Sequence, residues 1–137
     1  VPFEARITSA HRTPEVTKAF IQDADKRGCA VFIAAAGMAA HLAGAVSATT
    51  VKPVIGVPME SSLDGLDALL STVQMPAGIP VASVAIGKAG AKNAAYLATQ
   101  IIAVANPALA DKLREERAAN AKAIGAKDAA LQESLKG

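Results

Sequence analysis

The sequence has few cysteines and histidines. Cys29 is the one cysteine among the 137 residues, so no intrachain disulfide is possible. His11 and His41 are the two histidines, and the chain shows no spacing typical of a metal site. A single cysteine fits a reducing compartment, and we therefore expect a cytoplasmic protein without a bound metal.

The chain also has few aromatic residues and a small net charge. Aromatic side chains make up 3% of the chain and tryptophan is absent, which argues against stacking platforms for RNA or flavins. The formal net charge of +2 provides little attraction to nucleic acid or to an anionic membrane, so we expect neither partner. The 52% of hydrophobic residues excludes a disordered chain, and the length suits one domain.

One long apolar run, residues 29–46, approaches the length of a membrane span. Gly37, Gly44 and His41 interrupt it. We therefore interpret the run as a buried strand that turns into a buried helix.

The spacing of apolar residues predicts alternating strands and helices. Strands are predicted at residues 3–8, 30–35, 53–57 and 81–86, and helices at 14–28, 38–49, 63–73, 91–106 and 109–136. This alternation is typical of an α/β fold, a parallel sheet covered by helices on both faces. We assign residues 1–106 to the αβα domain and 107–137 to a C-terminal helical arm that Gly125 is expected to interrupt. The helix at 38–49 is apolar on nearly every side, which favours cover by the sheet and by a second subunit.

In such sheets, ligands bind at the carboxyl ends of the strands. The loop at residues 9–13 is one such end and contains His11 and Arg12. Histidine suits a general acid or base near neutral pH, and arginine suits a carboxylate or phosphate. On spacing alone, an equally good interpretation is that Thr13 caps the next helix while His11 and Arg12 are solvated.

Three further features have ordinary structural interpretations. His41 is most simply a core or interface histidine that bonds to a backbone carbonyl. The glycines at residues 87–90 are more typical of a tight strand-to-helix turn than of a phosphate cradle, because the third glycine of the dinucleotide fingerprint is missing. The loop at residues 75–80 contains two prolines and fits either a lid or an ordinary surface loop.

Four segments resemble the N5-carboxyaminoimidazole ribonucleotide mutases of de novo purine synthesis. They are SAHRTP (9–14), AAHL (39–42), VQMPAGIPV (73–81) and AIGKAGA (85–91), and the resemblance extends to about residue 117. It implies a flavodoxin-like three-layer αβα fold, a homo-octamer with active sites at subunit contacts, and no metal or organic cofactor. The implied reaction moves a carboxylate from the exocyclic nitrogen of the ribonucleotide to ring carbon C4.

The resemblance also implies roles for individual residues. His11 matches the catalytic histidine, which protonates the departing nitrogen and, after C4 has attacked the trapped carbon dioxide, removes the C4 proton. The matched substrate-binding positions are Ser9, Ala10, Arg12 (at the phosphate), Ala36, Gly37, Ala39, His41 (near the carboxylate) and Leu42. Arg12 and the AAHL segment favour the mutase. The alternatives are a carboxylase of aminoimidazole ribonucleotide that uses free carbon dioxide, and a non-catalytic nucleotide-binding or oligomerisation module.

The chain departs from the family pattern at several positions. Ala35 and Met38 stand where glycine is common, Ala43 where proline is common, and Glu60 where glutamine is common. The family's first strand and its Gly-Ser-x-Ser-Asp loop have no counterpart. We therefore expect an incomplete record of a longer protein, with a gap of about 9.6 Å, two strand spacings, between the strands at 3–8 and 30–35.

Overall fold

The computed structural model describes residues 1–136. Its helices are α1 (Pro14–Lys26), α2 (Leu42–Ser47), α3 (Leu66–Val73), α4 (Gly87–Ala103) and α5 (Pro107–Ser134), and its strands are β1 (Phe32–Gly37), β2 (Val54–Met59) and β3 (Ala82–Ser83). The strands form a parallel sheet in the order β1-β2-β3. Phe32 is opposite Val54 and Gly37 is opposite Met59, so the carboxyl ends of β1 and β2 lie at the same edge.

The core lies on both faces of the central strand β2. Val54 belongs to one buried cluster together with residues of α1, β1 and α2, whereas Ile55 and Val57 pack with Ala94 of α4. Gly56 is close to Thr72 of α3, on the same face as Val54. Helices therefore cover both faces, which confirms the predicted α/β fold.

The first helix begins and ends where the sequence predicts. Pro14 occupies the first turn, where a missing N–H costs little. After Lys26 the chain leaves the helix at Gly28, which has a φ of +86°. Ile21 and Ala24 form the buried face of α1.

The predicted strand at residues 3–8 is wrong. This segment forms no strand, and Phe3 and Ile7 are exposed. A strand needs a neighbour to pair with its N–H and C=O groups, and alternation alone does not provide one. Side-chain contacts hold the segment instead: Glu4 pairs with Arg27 at 2.7 Å. The hydrogen bonds that Arg27 donates to Asp23 and, to a smaller extent, to Glu4 raise the pKa of Arg27 above its ordinary value.

Two other elements are much shorter than predicted, and one predicted break is absent. The predicted helix at 38–49 is shortened to α2, because Met38 has a φ of 57° and the chain turns before Leu42. Of the predicted strand at 81–86, only the two residues of β3 pair with β2. Gly125 does not interrupt α5, since one glycine costs an exposed helix only about 1 kcal/mol.

The chain divides into two compact units. The first is Val1–Ile101 and the second begins at Ile102. The second unit consists mainly of α5, in which the described residues include no buried side chain. Within residues 1–136, every helix is too short or too polar to cross a bilayer. The domain boundary at 106/107 stays a prediction.

Candidate active site

The loop before α1 is folded by hydrogen bonds between its own residues. The Thr13 N–H donates to the Ser9 carbonyl at 3.0 Å, and the Ser9 N–H donates to Thr13 Oγ1 at 2.9 Å. The Arg12 N–H donates to Ser9 Oγ at 3.1 Å. Thr13 occupies the N-cap position of α1, but its side chain makes no capping bond to the helix. The loop hydroxyls therefore shape the loop that presents His11.

His41 is presented by the connection between β1 and α2. β1 ends at Gly37, Ala40 is buried, and His41 occupies the N-cap position of α2. The interpretation of His41 as a core histidine bonded to a backbone carbonyl is wrong, because its side chain is exposed and bonds to a second histidine. Its interpretation as an interface histidine stays a prediction. The N-cap position projects this ring outward, which apolar spacing alone does not reveal.

The two histidines meet although 30 positions separate them in the chain. His11 Nε2 and His41 Nδ1 are joined by a hydrogen bond of 2.8 Å. The ring centroids are 4.9 Å apart and the planes are 85° to one another, an edge-to-face arrangement. Both rings are exposed, so they can reach a ligand.

A cavity of about 500 Å³ lies next to this histidine pair. Its walls come from the His11 loop, α2, α3 and the residues that follow α3. The lining residues are Ala10, His11, His41, Gly44, Ala45, Leu70, Ser71, Gln74 and Met75. The histidines are the titratable groups among them, and apolar and amide groups make up most of the rest. Such a cavity suits a small polar ligand that exchanges a proton.

The structure brings together three of the residues proposed for the site, namely Ala10, His11 and His41. The others lie outside the lining of this cavity. Ser9 and Arg12 flank it in the loop, and Ala36 and Gly37 end β1 opposite Pro58 and Met59. Ala39 is exposed, and Leu42 packs against the first core cluster.

Sequence reasoning missed the wall that α3 contributes. Leu70, Ser71 and Gln74 line the cavity from the carboxyl-terminal end of α3, and Met75 follows them. Met75 packs so close to Gly44 that a Cβ on residue 44 would lie 3.3 Å from its sulfur. Met75 belongs to the segment 73–81 that resembles the family, but no periodicity connects this segment with His41.

The glycines at 87–90 have packing roles. Gly87 has a φ of +71°, and a Cβ there would lie 2.8 Å from Glu60 Oε1. Gly90 is pressed against the carbonyl of Ala85. The Glu60 carboxylate thus lies against the first turn of α4. Residues 87–90 form that first turn, because α4 begins at Gly87 and not at the predicted residue 91. Within the described residues, no three His, Cys, Asp or Glu side chains form a group suited to a metal ion.

Met38, which directly follows β1, has a strained backbone. Its φ of 57° is in the left-handed region, and its side chain is 61% exposed. The substitution Met38→Gly removes the strain at the expense of a more flexible unfolded chain, and we expect a net gain of about 0.5–1 kcal/mol in the free energy of unfolding. Urea denaturation measures this gain. Met38→Ala, which keeps the strain, is the control; an equal gain in both variants would contradict the explanation.

Comparison with known proteins shows that the chain belongs to one family. The family model described as AIR carboxylase matches residues 1–123, a range that contains both histidine loops. The chain is similar to an N5-carboxyaminoimidazole ribonucleotide mutase of Saccharolobus solfataricus, with 56% identity over 116 residues, which are 84% of this chain and 72% of that protein.

Two further relatives cover more of the chain. The N5-carboxyaminoimidazole ribonucleotide mutase of Mycobacterium tuberculosis is 52% identical over 133 residues, 96% of this chain and 75% of that protein. The protein of the same name from Methanocaldococcus jannaschii is 49% identical over 136 residues, 99% of this chain and 83% of that protein. The similarity therefore extends across α5.

Proposed function

Because the chain belongs to the AIR carboxylase family, we propose that it is an isomerase of purine biosynthesis. It converts N5-carboxyaminoimidazole ribonucleotide into 4-carboxy-5-aminoimidazole ribonucleotide. The relatives that carry the mutase name support this reaction. The observation that carries the proposal within this chain is the 2.8 Å histidine pair at the cavity.

The proposed mechanism needs one group that gives and then takes a proton. His11 protonates the exocyclic nitrogen of the substrate, the bond between that nitrogen and the carboxyl carbon breaks, and carbon dioxide is held beside the ring. Carbon C4 then attacks carbon dioxide, and His11 removes the C4 proton. A histidine performs both transfers near neutral pH. No electron transfer occurs, so the steps need no redox cofactor.

The substrate's anionic groups would contact residues around His11. Ser9, Ala10 and Arg12 are the proposed contacts on the His11 loop, with the Arg12 guanidinium at the phosphate. Ala36, Gly37, Ala39, His41 and Leu42 are the proposed contacts around the carboxylate. Met75 on the far wall of the cavity would limit the space open to carbon dioxide and water.

The direct test is an assay of the purified protein with two substrates. We expect the carbamate, N5-carboxyaminoimidazole ribonucleotide, to be consumed with loss of its characteristic nitrogen-bound carboxylate and formation of the C4-carboxylated product. Aminoimidazole ribonucleotide with bicarbonate should react far more slowly. Consumption of the second substrate alone would contradict the mutase and support the carboxylase, the alternative favoured by the family description. Calorimetric binding of the ribonucleotide without turnover would support the non-catalytic module.

We also propose that the protein is cytoplasmic and assembles into a homo-oligomer, an octamer by its family resemblance. An apolar stripe on α3, consisting of Leu66, Leu70 and Val73, supports assembly. Leu66 is 55% exposed, and the three residues recur at helical spacing on one face. A second copy that covers this face would remove the stripe from water.

The double substitution Leu66→Glu/Val73→Glu tests this contact. The introduced carboxylates would lie in the interface, and we expect the sedimentation coefficient to fall as the oligomer dissociates. Val51→Glu is the matched control, because Val51 is also apolar, is fully exposed and belongs to a loop and not to α3. An unchanged sedimentation coefficient in the double variant would show that the α3 stripe is not a contact between copies.

A further inference from the structure

One neutral polar side chain of the cavity wall is not used to hold the fold together. Gln74 lines the cavity at the carboxyl-terminal end of α3, and it is exposed. Within the part of the chain that the structure describes, its side-chain amide forms no hydrogen bond. The amide therefore offers two N–H donors and one oxygen acceptor to a ligand in the cavity.

The other polar side chains of the cavity lining are already hydrogen-bonded. The Ser71 hydroxyl donates to the Asp67 carbonyl at 2.7 Å, and the two histidines bond to each other at 2.8 Å. Apart from these histidines, the lining residues are all uncharged. An amide that is free among such neighbours suits a neutral polar group of a ligand better than a phosphate or a carboxylate.

The backbone on both sides of Gln74 is anchored. Thr72 is 2% exposed and packs directly on Gly56 of β2. Met75 packs against Gly44 of α2. The Gln74 side chain therefore starts from a fixed point on the wall, so that less conformational freedom is lost when a ligand binds to it.

The heterocycle of the proposed substrate has one polar atom without an assigned contact. C4 and the exocyclic nitrogen react at His11, and the carboxylate is assigned to the residues between β1 and α2. Arg12 flanks the cavity, so the phosphate and its ribose lie towards the rim and the ring lies inside. The remaining atom is ring nitrogen N3, whose lone pair accepts a hydrogen bond. An amide N–H supplies that bond without protonating N3, and C4 keeps the electron density with which it attacks carbon dioxide.

We propose that Gln74 is a specificity-determining residue that recognises the imidazole ring by donating an amide hydrogen bond to N3. The inference rests on the proposed function and adds to it how the chain selects the heterocycle. A ring with a C–H group in place of N3 would leave the amide donor unpaired, and such a ligand is therefore bound less tightly.

Binding of two ligands to the parent protein and to Gln74→Leu tests this contact. The ligands are the product, 4-carboxy-5-aminoimidazole ribonucleotide, and its pyrrole analogue with a C–H group in place of N3. We expect calorimetry to show that the parent prefers the imidazole ligand by about 10-fold. Leucine has similar bulk and no donor, so the preference of the variant should fall to within about 2-fold, through weaker binding of the imidazole ligand alone.

Ser71→Ala is the matched control. It also removes a polar group from the α3 wall, but the proton of that hydroxyl is already donated to Asp67, so the preference for the imidazole ligand should persist. In kinetic assays with the carbamate, Gln74→Leu should raise KM by about 10-fold and leave kcat within about 3-fold. Gln74→Glu should raise KM further, because its carboxylate faces the N3 lone pair with acceptors only.

Several outcomes overturn the proposal. An unchanged preference in Gln74→Leu would show that the amide does not contact N3. An equal loss of affinity for both ligands would show that position 74 shapes the cavity and does not read the ring. Circular dichroism confirms that the variants are folded.

The same measurements keep the inference separate from the proposed function. If the parent isomerises the carbamate but its preference does not depend on Gln74, the recognition role is wrong and the isomerase stands. If the preference depends on Gln74 but the parent does not isomerise the carbamate, the proposed function is wrong and the recognition of the ring stands.

Discussion

The variant His11→Asn is expected to bind the ribonucleotide and to lose isomerisation. The amide of the introduced asparagine lies close to where Nδ1 of the His11 ring lies, but it cannot give and take a proton. We therefore expect kcat to fall on the order of 10³-fold. His11 is exposed on its loop and contributes nothing to the buried core, so the fold should persist. Turnover is measured with the carbamate substrate, and the dissociation constant is measured by calorimetry.

Arg12→Met is the matched comparison, because Arg12 is the next residue and carries a proposed binding role instead of a chemical one. It should raise KM while kcat changes much less, the opposite of the result for His11→Asn. If His11→Asn retains turnover within a few-fold of the parent, the role of His11 as the acid and base is wrong.

The substitution Gly90→Ala is expected to have the largest effect on stability. A Cβ at residue 90 would overlap the carbonyl oxygen of Ala85, which is backbone and cannot rotate away. The helix α4 would have to shift from the sheet, where Ala94 packs on Ile55 and Val57. We expect the free energy of unfolding to fall by roughly 3 kcal/mol or more, measured by urea denaturation.

Gly125→Ala is the matched control. It introduces the same side chain into another helix, but no atom lies within 4 Å of the new Cβ. There the intrinsic preference of alanine for helix should stabilise α5, by up to about 1 kcal/mol. A similar loss of stability in both variants would mean that contact with Ala85 is not the cause at Gly90.

The candidate site was only partly predictable from the sequence. His11 could be proposed because it follows a predicted strand in a polar loop, and its match to the family supplied a role. The bond to His41 could not be derived, because it depends on how β1, α1 and α2 place two loops beside one another. The cavity wall at Leu70 and Gln74 was missed for the same reason: helix α3 packs against the sheet, and spacing along the chain does not report its neighbours.

The family match and local elements such as α1 and α5 followed from the order of residues alone. The signals for α1 are apolar periodicity, Pro14 and Gly28. Each acts on neighbouring residues, so such short-range preferences can be predicted from the sequence alone. Tertiary structure decided whether residues 3–8 became a strand and which loops met at the cavity. A strand exists only if another backbone pairs with it, and a proton-transfer site exists only where distant side chains come within hydrogen-bonding distance.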